Sequence, residues 1–354
     1  MNERIESLDW LRGLMAISIM IYHLTGVLFT STDSSSLLGR LGIYAVSIFF
    51  VISGLSMAIV YSRFVTNCAT SVSFYIRRIF RIWPLLWVCI LIITIQEAVL
   101  KKPVNVPQII ANMTTVFGFF KPDSYINAGA WSIGNEMVYY VLTPVILMIY
   151  NRKKILGDGL TLVSLLFTIL FAFMLLNGTD NLSNQWSTYI NPFNNLFLYL
   201  AGIFIYYNLK DLKIKAWISP VLFLSCLLFF SFYPVTGDQI RIVTGVNRLL
   251  FLFFSVLIVV AFYKFPPDWH IHELIRYPLE KFGIATYGVY LLHPIIAMYL
   301  TGISYRLEFR NSIIIFMAAF ILTVFMALLS FNLFEIKMIA MGKRLSNTLS
   351  TDKG

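Results

Sequence analysis

The sequence predicts an all-α integral membrane protein of about ten transmembrane helices, with both termini cytoplasmic and no appended soluble domain. Three observations carry this. Only 12% of the 354 residues are charged, while 58% are hydrophobic and the mean hydropathy is +0.78. A soluble domain usually holds about 25% charged residues and fewer than half apolar ones, so a soluble enzyme and a disordered chain are excluded. Apolar runs long enough for a span of ~20 residues recur along the whole chain. Finally, Lys and Arg alternate between the sides of those runs, 19 of the 27 falling on one side. That excess marks the cytoplasmic face.

Taken in order, the runs lie near 10–29, 41–61, 82–100, 131–150, 160–176, 192–208, 217–233, 247–264, 283–303 and 311–334. The inner side then holds Arg4 and Arg12, the block Arg63, Arg77, Arg78 and Arg81, and Arg152 to Lys154. Lys210 to Lys215, the group Lys264, Arg276 and Lys281, and the tail from Lys337 to Lys353 complete it. Residues 1–340 read as one membrane domain and 341–354 as a basic cytoplasmic tail. Glu3, Glu6 and Asp9 offset Arg4 and Arg12, so the first run is a span and not a cleavable signal.

The net charge of +10 sits in short clusters between apolar runs, which points to a lipid bilayer and to no nucleic acid. Cys89 and Cys226 fall inside apolar runs and Cys68 in a basic loop, so neither a disulfide nor a metal is expected. His270 and His272, two apart in an inner loop, give only a weak metal signal. In the outer segment 101–130, Pro103, Pro107 and Pro122 predict a folded-back connection in place of one helix. The outer loop 177–191 is polar without Lys or Arg and reads either as a solvated turn or as a surface facing a sugar.

An ionisable group at membrane depth costs roughly 2.5–3.5 kcal/mol, so each needs a reason. Arg12 and His23 are eleven residues apart on the first span. At about 100° per residue that is within ~20° of three full turns, so both point to one face, with His23 ~16 Å deeper. Asp9 precedes Arg12 by three residues on the same side. The line reads as an entry path ending at a base, or as a cytoplasmic anchor and a packed histidine. Arg78 and Arg81, three apart, share a helix face where guanidinium forks suit phosphates, or form an ordinary basic flank. In Trp131-Ser132-Ile133-Gly134-Asn135-Glu136 the carboxylate shares a face with Ser132 and with Tyr140. It is placed to bind hydroxyls, assist proton transfer or join helices. In Tyr290-Leu291-Leu292-His293-Pro294 the histidine lies about mid-span beside a helix-perturbing proline.

These elements together resemble the membrane-bound acyltransferase type 3 family, which O-acylates cell-surface sugars. Leu8-Asp9-Trp10-Leu11-Arg12-Gly13, followed ten residues later by His23, is similar to its first-span signature. Phe49-Phe50-Val51-Ile52-Ser53-Gly54, Arg77-Arg78-x-x-Arg81, Trp131-Ser132 to Glu136 and Tyr290 to His293 follow in family order. Glu335 resembles the family's final glutamate, although Ile336 intervenes before Lys337 and no proline follows.

The resemblance implies an acyl-CoA donor, acetyl-CoA first, and a hydroxyl of a surface polysaccharide or its lipid-linked precursor as acceptor, at the bacterial cytoplasmic (inner) membrane. Arg12, Arg78 and Arg81 would hold the phosphates of CoA, with Asp9 orienting Arg12. His23 would be the general base. Glu136 and His293 would bind the sugar or relay protons, and Trp131, Ser132, Tyr140 and Tyr290 would line the acceptor. Some members carry an extra esterase-like domain; without one, this chain is expected to complete transfer itself or through a partner. Direct transfer and a covalent acyl-histidine both stay open, as does a homodimer. The alternative class is a transporter of polysaccharide precursors or small acids with a His/Glu proton relay.

Overall fold

A computed structural model describes residues 5–266, 269 and 272–351, excluding the side chains of 349–351. Glu3, Arg4, His270 and Lys353, named above, lie outside the described residues. Helices α1 (Glu6–Leu28), α2 (Leu37–Tyr61) and α3 (Cys68–Val99) are followed by the short α4 (Val106–Met113) and α5 (Phe117–Phe120). Then come α6 (Ala130–Arg152) and α7 (Lys154–Leu170), whose end widens into a π turn at Phe171–Leu175. A single turn α8 (Trp186–Tyr189) precedes α9 (Pro192–Leu209), α10 (Ile218–Phe232), the turn α11 (Ile240–Val243) and α12 (Gly245–Tyr263). Last are α13 (Glu273–Arg306), α14 (Ser312–Ser330), a second π turn at Phe331–Glu335, and α15 (Ile336–Thr351). Among the described residues there is no strand.

Each of the ten apolar runs forms a helix, and among the described residues eight helices are long and apolar enough to cross a membrane. The two that are not are α9, which carries buried Asn194 and Asn195, and α10, whose 15 residues reach only about 22 Å. The chain is a multi-pass membrane protein. Segment 101–130 is folded back as predicted, into α4, α5 and turns. Asparagines start several helices: Asn67 accepts from Thr70 N at 3.0 Å, Asn105 from Gln108 N at 3.1 Å and Asn311 from Ile314 N at 3.1 Å. Each satisfies an amide that the helix cannot. The basic block is part of α3 itself, because Asn67 begins that helix well before the apolar run.

The chain divides into two compact units, Met1–Val60 with Ile149–Thr286, and Tyr61–Met148 with Tyr287–Gly354. In the first unit, glycines let backbones touch. A Cβ on Gly54 would lie 1.9 Å from the Tyr199 carbonyl oxygen, and one on Gly202 2.0 Å from that of Val51, so α2 and α9 cross here in direct contact. A Cβ on Gly283 would lie 2.3 Å from Asp9 O, which brings the start of α13 against α1 at the level of Arg12. In the second unit α15 lies along α3, where a Cβ on Gly342 would meet Phe80 at 2.5 Å. Helix α15 runs on as far as Thr351.

Candidate functional site

The expected site residues fall into two sets, one in each unit. In the first, α1 is one uninterrupted helix, so Arg12 and His23 keep the common face that their spacing predicts. Asp9 is buried, and its Oδ1 receives Arg12 Nη1 at 2.6 Å. Arg12 Nη2 donates to Ser56 Oγ at 2.5 Å, and Ser56 passes its own proton to Ile52 O at 2.6 Å. The guanidinium is thus aimed from two sides while its side chain stays 28% exposed. His23 is half-buried, its ring edge-on to Tyr22 at 5.3 Å.

The second set is built on α3, α6 and the later half of α13. Arg78 Nη2 donates to the Tyr61 hydroxyl at 2.7 Å. Its guanidinium carbon lies 5.0 Å from the Tyr61 ring centre and 5.9 Å from that of Tyr140, and its Nε meets no acceptor among the described residues. Tyr140 donates to Glu136 Oε1 at 3.0 Å, the i to i+4 contact that the sequence predicts. Arg77 is used differently. Its Nε donates to Ser346 Oγ at 2.8 Å and its Nη2 to Asn347 Oδ1 at 2.9 Å, which holds α15 on α3. Arg81 is half-buried and within electrostatic reach of Glu335, whose Oε1 accepts from Ser330 at 3.3 Å in the second π turn.

Trp131 is buried at the start of α6, and Ser132 Oγ shares a 2.8 Å hydrogen bond with the Tyr290 hydroxyl. His293 is buried, with Nδ1 2.9 Å from Val289 O. A carbonyl only accepts, so the proton sits on Nδ1 and Nε2 is the basic nitrogen. Pro294 does not interrupt α13, although it supplies no N–H to the turn before it. Neighbours fill in around it: Asn127 Nδ2 donates to Leu291 O at 2.9 Å, and Gly129 approaches the Tyr290 carbonyl so closely that a Cβ would lie 3.1 Å away.

Sequence reasoning missed Ser56 and Tyr61, because a serine or tyrosine in an apolar helix carries no signal of which neighbour it will meet. It also missed Arg248. A charge three residues inside an apolar helix was the available sign. His272 Nδ1 accepts from Leu274 N at 3.3 Å, and among the described residues no group of three His, Cys, Asp or Glu is arranged to hold a metal.

Cationic donors half-buried in apolar surroundings, with an Arg78 nitrogen still lacking an acceptor, fit a phosphorylated ligand. Comparison with known proteins gives the family. A family model described as an acyltransferase domain matches residues 5–331. The peptidoglycan O-acetyltransferase OatA of Listeria monocytogenes is 26% identical over 330 residues, covering 83% of this chain and 50% of its own. The O-acetyltransferase OatA of Staphylococcus aureus is 22% identical over 359 residues, covering 94% and 56% respectively. The chain thus spans about half the length of these two curated relatives. An uncharacterized protein of Haemophilus influenzae is 29% identical over 236 residues, 60% of this chain and 96% of its own. No solved structure matches.

Proposed function

The chain belongs to the acyltransferase domain family, and from that premise we propose that it is a membrane O-acetyltransferase acting on a cell-envelope glycan. The donor is acetyl-CoA from the cytoplasm, the acceptor a hydroxyl of a surface polysaccharide or its lipid-linked precursor, and the site the bacterial inner membrane. The names of two relatives, both O-acetyltransferases and one of peptidoglycan, support the acetyl group and the class of acceptor. The family match favours acyl transfer over the transporter alternative.

The observation that carries the mechanism is the uninterrupted α1. It sets His23 ~16 Å beyond Arg12 on one face, roughly the reach of the pantetheine arm of CoA. Arg12, aimed by Asp9 and Ser56, holds phosphate at the inner end of α1, and Arg78 and Arg81 on α3 are the other phosphate-binding candidates. His23 takes the proton of the acceptor hydroxyl as its oxygen attacks the acyl carbon. Glu136 and His293 carry acceptor binding or the onward proton, and Trp131, Ser132, Tyr140 and Tyr290 line the acceptor.

Protein reconstituted in lipid nanodiscs with radiolabelled acetyl-CoA and envelope glycan tests this reading. Label should move to alkali-labile ester on the glycan, and His23→Ala should abolish the transfer while leaving donor binding intact. Wild-type protein that binds no acetyl-CoA refutes the reading. Transfer retained in His23→Ala refutes the base.

A further inference from the structure

Arg248, one turn into α12, is 0% exposed. Its Nη2 donates to Asn195 Oδ1 at 3.0 Å, while Nε and Nη1 meet no acceptor among the described residues. No carboxylate pairs with it there. The guanidinium carbon lies 5.6 Å from the ring centres of both Tyr44 and Tyr189. Arg40, equally enclosed in the same unit, shows how a purely structural arginine is treated. Its nitrogens donate to the carbonyls of Ser34, Phe230, Tyr233 and Val235 at 2.7, 2.8, 2.7 and 3.1 Å. Around Arg248 there is no such set of carbonyls among the described residues; besides Asn195 it has the neutral hydroxyls of Tyr44 and Tyr189 within reach. A cation kept from water without a counter-charge is strongly unfavourable, and aromatic faces offset only part of that. The arrangement calls for a negative oxygen that arrives with a ligand.

The level of this group in the unit identifies that oxygen. The Tyr22 ring packs on α2 at Gly42, where a Cβ would lie 2.3 Å from it, and Tyr44 follows two residues along. Tyr22 is also within electrostatic reach of Tyr189. His23 is the next residue after Tyr22, so His23 and the Arg248 group occupy one level of the unit, within about one helical turn.

We propose that Arg248 receives the oxyanion of acyl transfer, an inference that rests on the acyltransferase reading above. As His23 takes the proton of the acceptor hydroxyl, the hydroxyl oxygen bonds to the acyl carbon, and the carbonyl π pair moves onto the carbonyl oxygen. That oxygen, now negative, accepts from one of the two, Nε or Nη1 of Arg248, which lie on opposite edges of the guanidinium. Collapse re-forms the carbonyl and breaks the carbon–sulfur bond. The thiolate leaves and takes its proton from the His23 imidazolium.

The test compares wild type, Arg248→Met and Arg248→Lys in nanodiscs by three readouts: transfer rate, calorimetric affinity for acetyl-CoA, and affinity for a CoA trifluoromethyl ketone. The hydrated ketone presents a tetrahedral carbon with an acidic oxygen and so mimics the charged intermediate. In Arg248→Met, transfer should fall ~100-fold or more, the range for a lost oxyanion donor. Affinity for the ketone should fall in step, while acetyl-CoA affinity changes less than about three-fold. Arg248→Lys should retain part of both. Unchanged ketone affinity in Arg248→Met, or acetyl-CoA affinity lost as steeply as rate, overturns the proposal. So does failure of both variants to fold, since the role is then structural. Wild type that binds no acetyl-CoA removes the acyltransferase reading itself; wild type that binds it with Arg248→Met indistinguishable removes this inference alone.

Discussion

Asp9 and Arg12 form a 2.6 Å ion pair across one turn of α1, with the carboxylate buried and the guanidinium partly open. The pair fixes direction more than it adds stability, since one partner remains solvated and such pairs contribute ~1 kcal/mol or less. Asp9→Asn keeps the shape and removes the charge. It should weaken acetyl-CoA binding several-fold and lower the melting temperature little, measured by calorimetry and by thermal unfolding in detergent. A large loss of stability with unchanged donor affinity would make Asp9 a packing residue.

Arg77 and Arg78 are neighbours with different employment. Arg77 is spent on Ser346 and Asn347, whereas Arg78 keeps a nitrogen without an acceptor. Arg78→Ala should therefore lower donor affinity at least tenfold, a loss of ~1.4 kcal/mol. Arg77→Ala should leave donor affinity as it is and speed amide hydrogen exchange in α15, because two docking contacts are gone. Equal effects of the two substitutions on donor binding would contradict this division.

Much of the fold was legible because its signals are one-dimensional. Apolar length marks a helix regardless of what it packs against, and eleven residues of unbroken helix fix the relative direction of Arg12 and His23. The Glu136–Tyr140 contact was readable for the same reason. Contacts between distant segments were not. Ser56 reaches Arg12 across 44 residues, and Tyr61 reaches Arg78 from the end of another helix. Helix α3 also begins earlier than its apolar run, because the Asn67 cap and not hydrophobicity sets its start. The Phe49-to-Gly54 motif was legible as a motif, but its reason is the α2–α9 crossing at Gly54.

That crossing gives a prediction about folding. Gly54→Ala would set its Cβ 1.9 Å from a backbone oxygen, which no side-chain rotation relieves. The helices must separate, at a cost of about 1–3 kcal/mol or more. Gly26→Ala on α1 meets nothing within 4 Å and should be neutral or slightly stabilising. Fluorescence-detected size exclusion after heating should separate them, with Gly54→Ala lost at lower temperature. A Gly54→Ala protein as stable as wild type would refute the backbone contact.

Glu136 and Tyr140 pose the last question, whether their hydrogen bond along α6 is structural or serves the reaction. Tyr140→Phe removes one hydrogen bond of ~1 kcal/mol and keeps the ring beside Arg78, so stability should barely change. Glu136→Gln keeps the acceptor oxygen for Tyr140 but can no longer take a proton. If the carboxylate handles protons or acceptor hydroxyls, Glu136→Gln should cut the transfer rate by ~100-fold or more with donor affinity unchanged. Tyr140→Phe should then cost only a few-fold, by loosening the carboxylate. If the pair is only structural, both substitutions should act on melting temperature and neither on rate. Rates and melts on the same samples decide between the two, because glutamine preserves the structural contact and removes the chemistry.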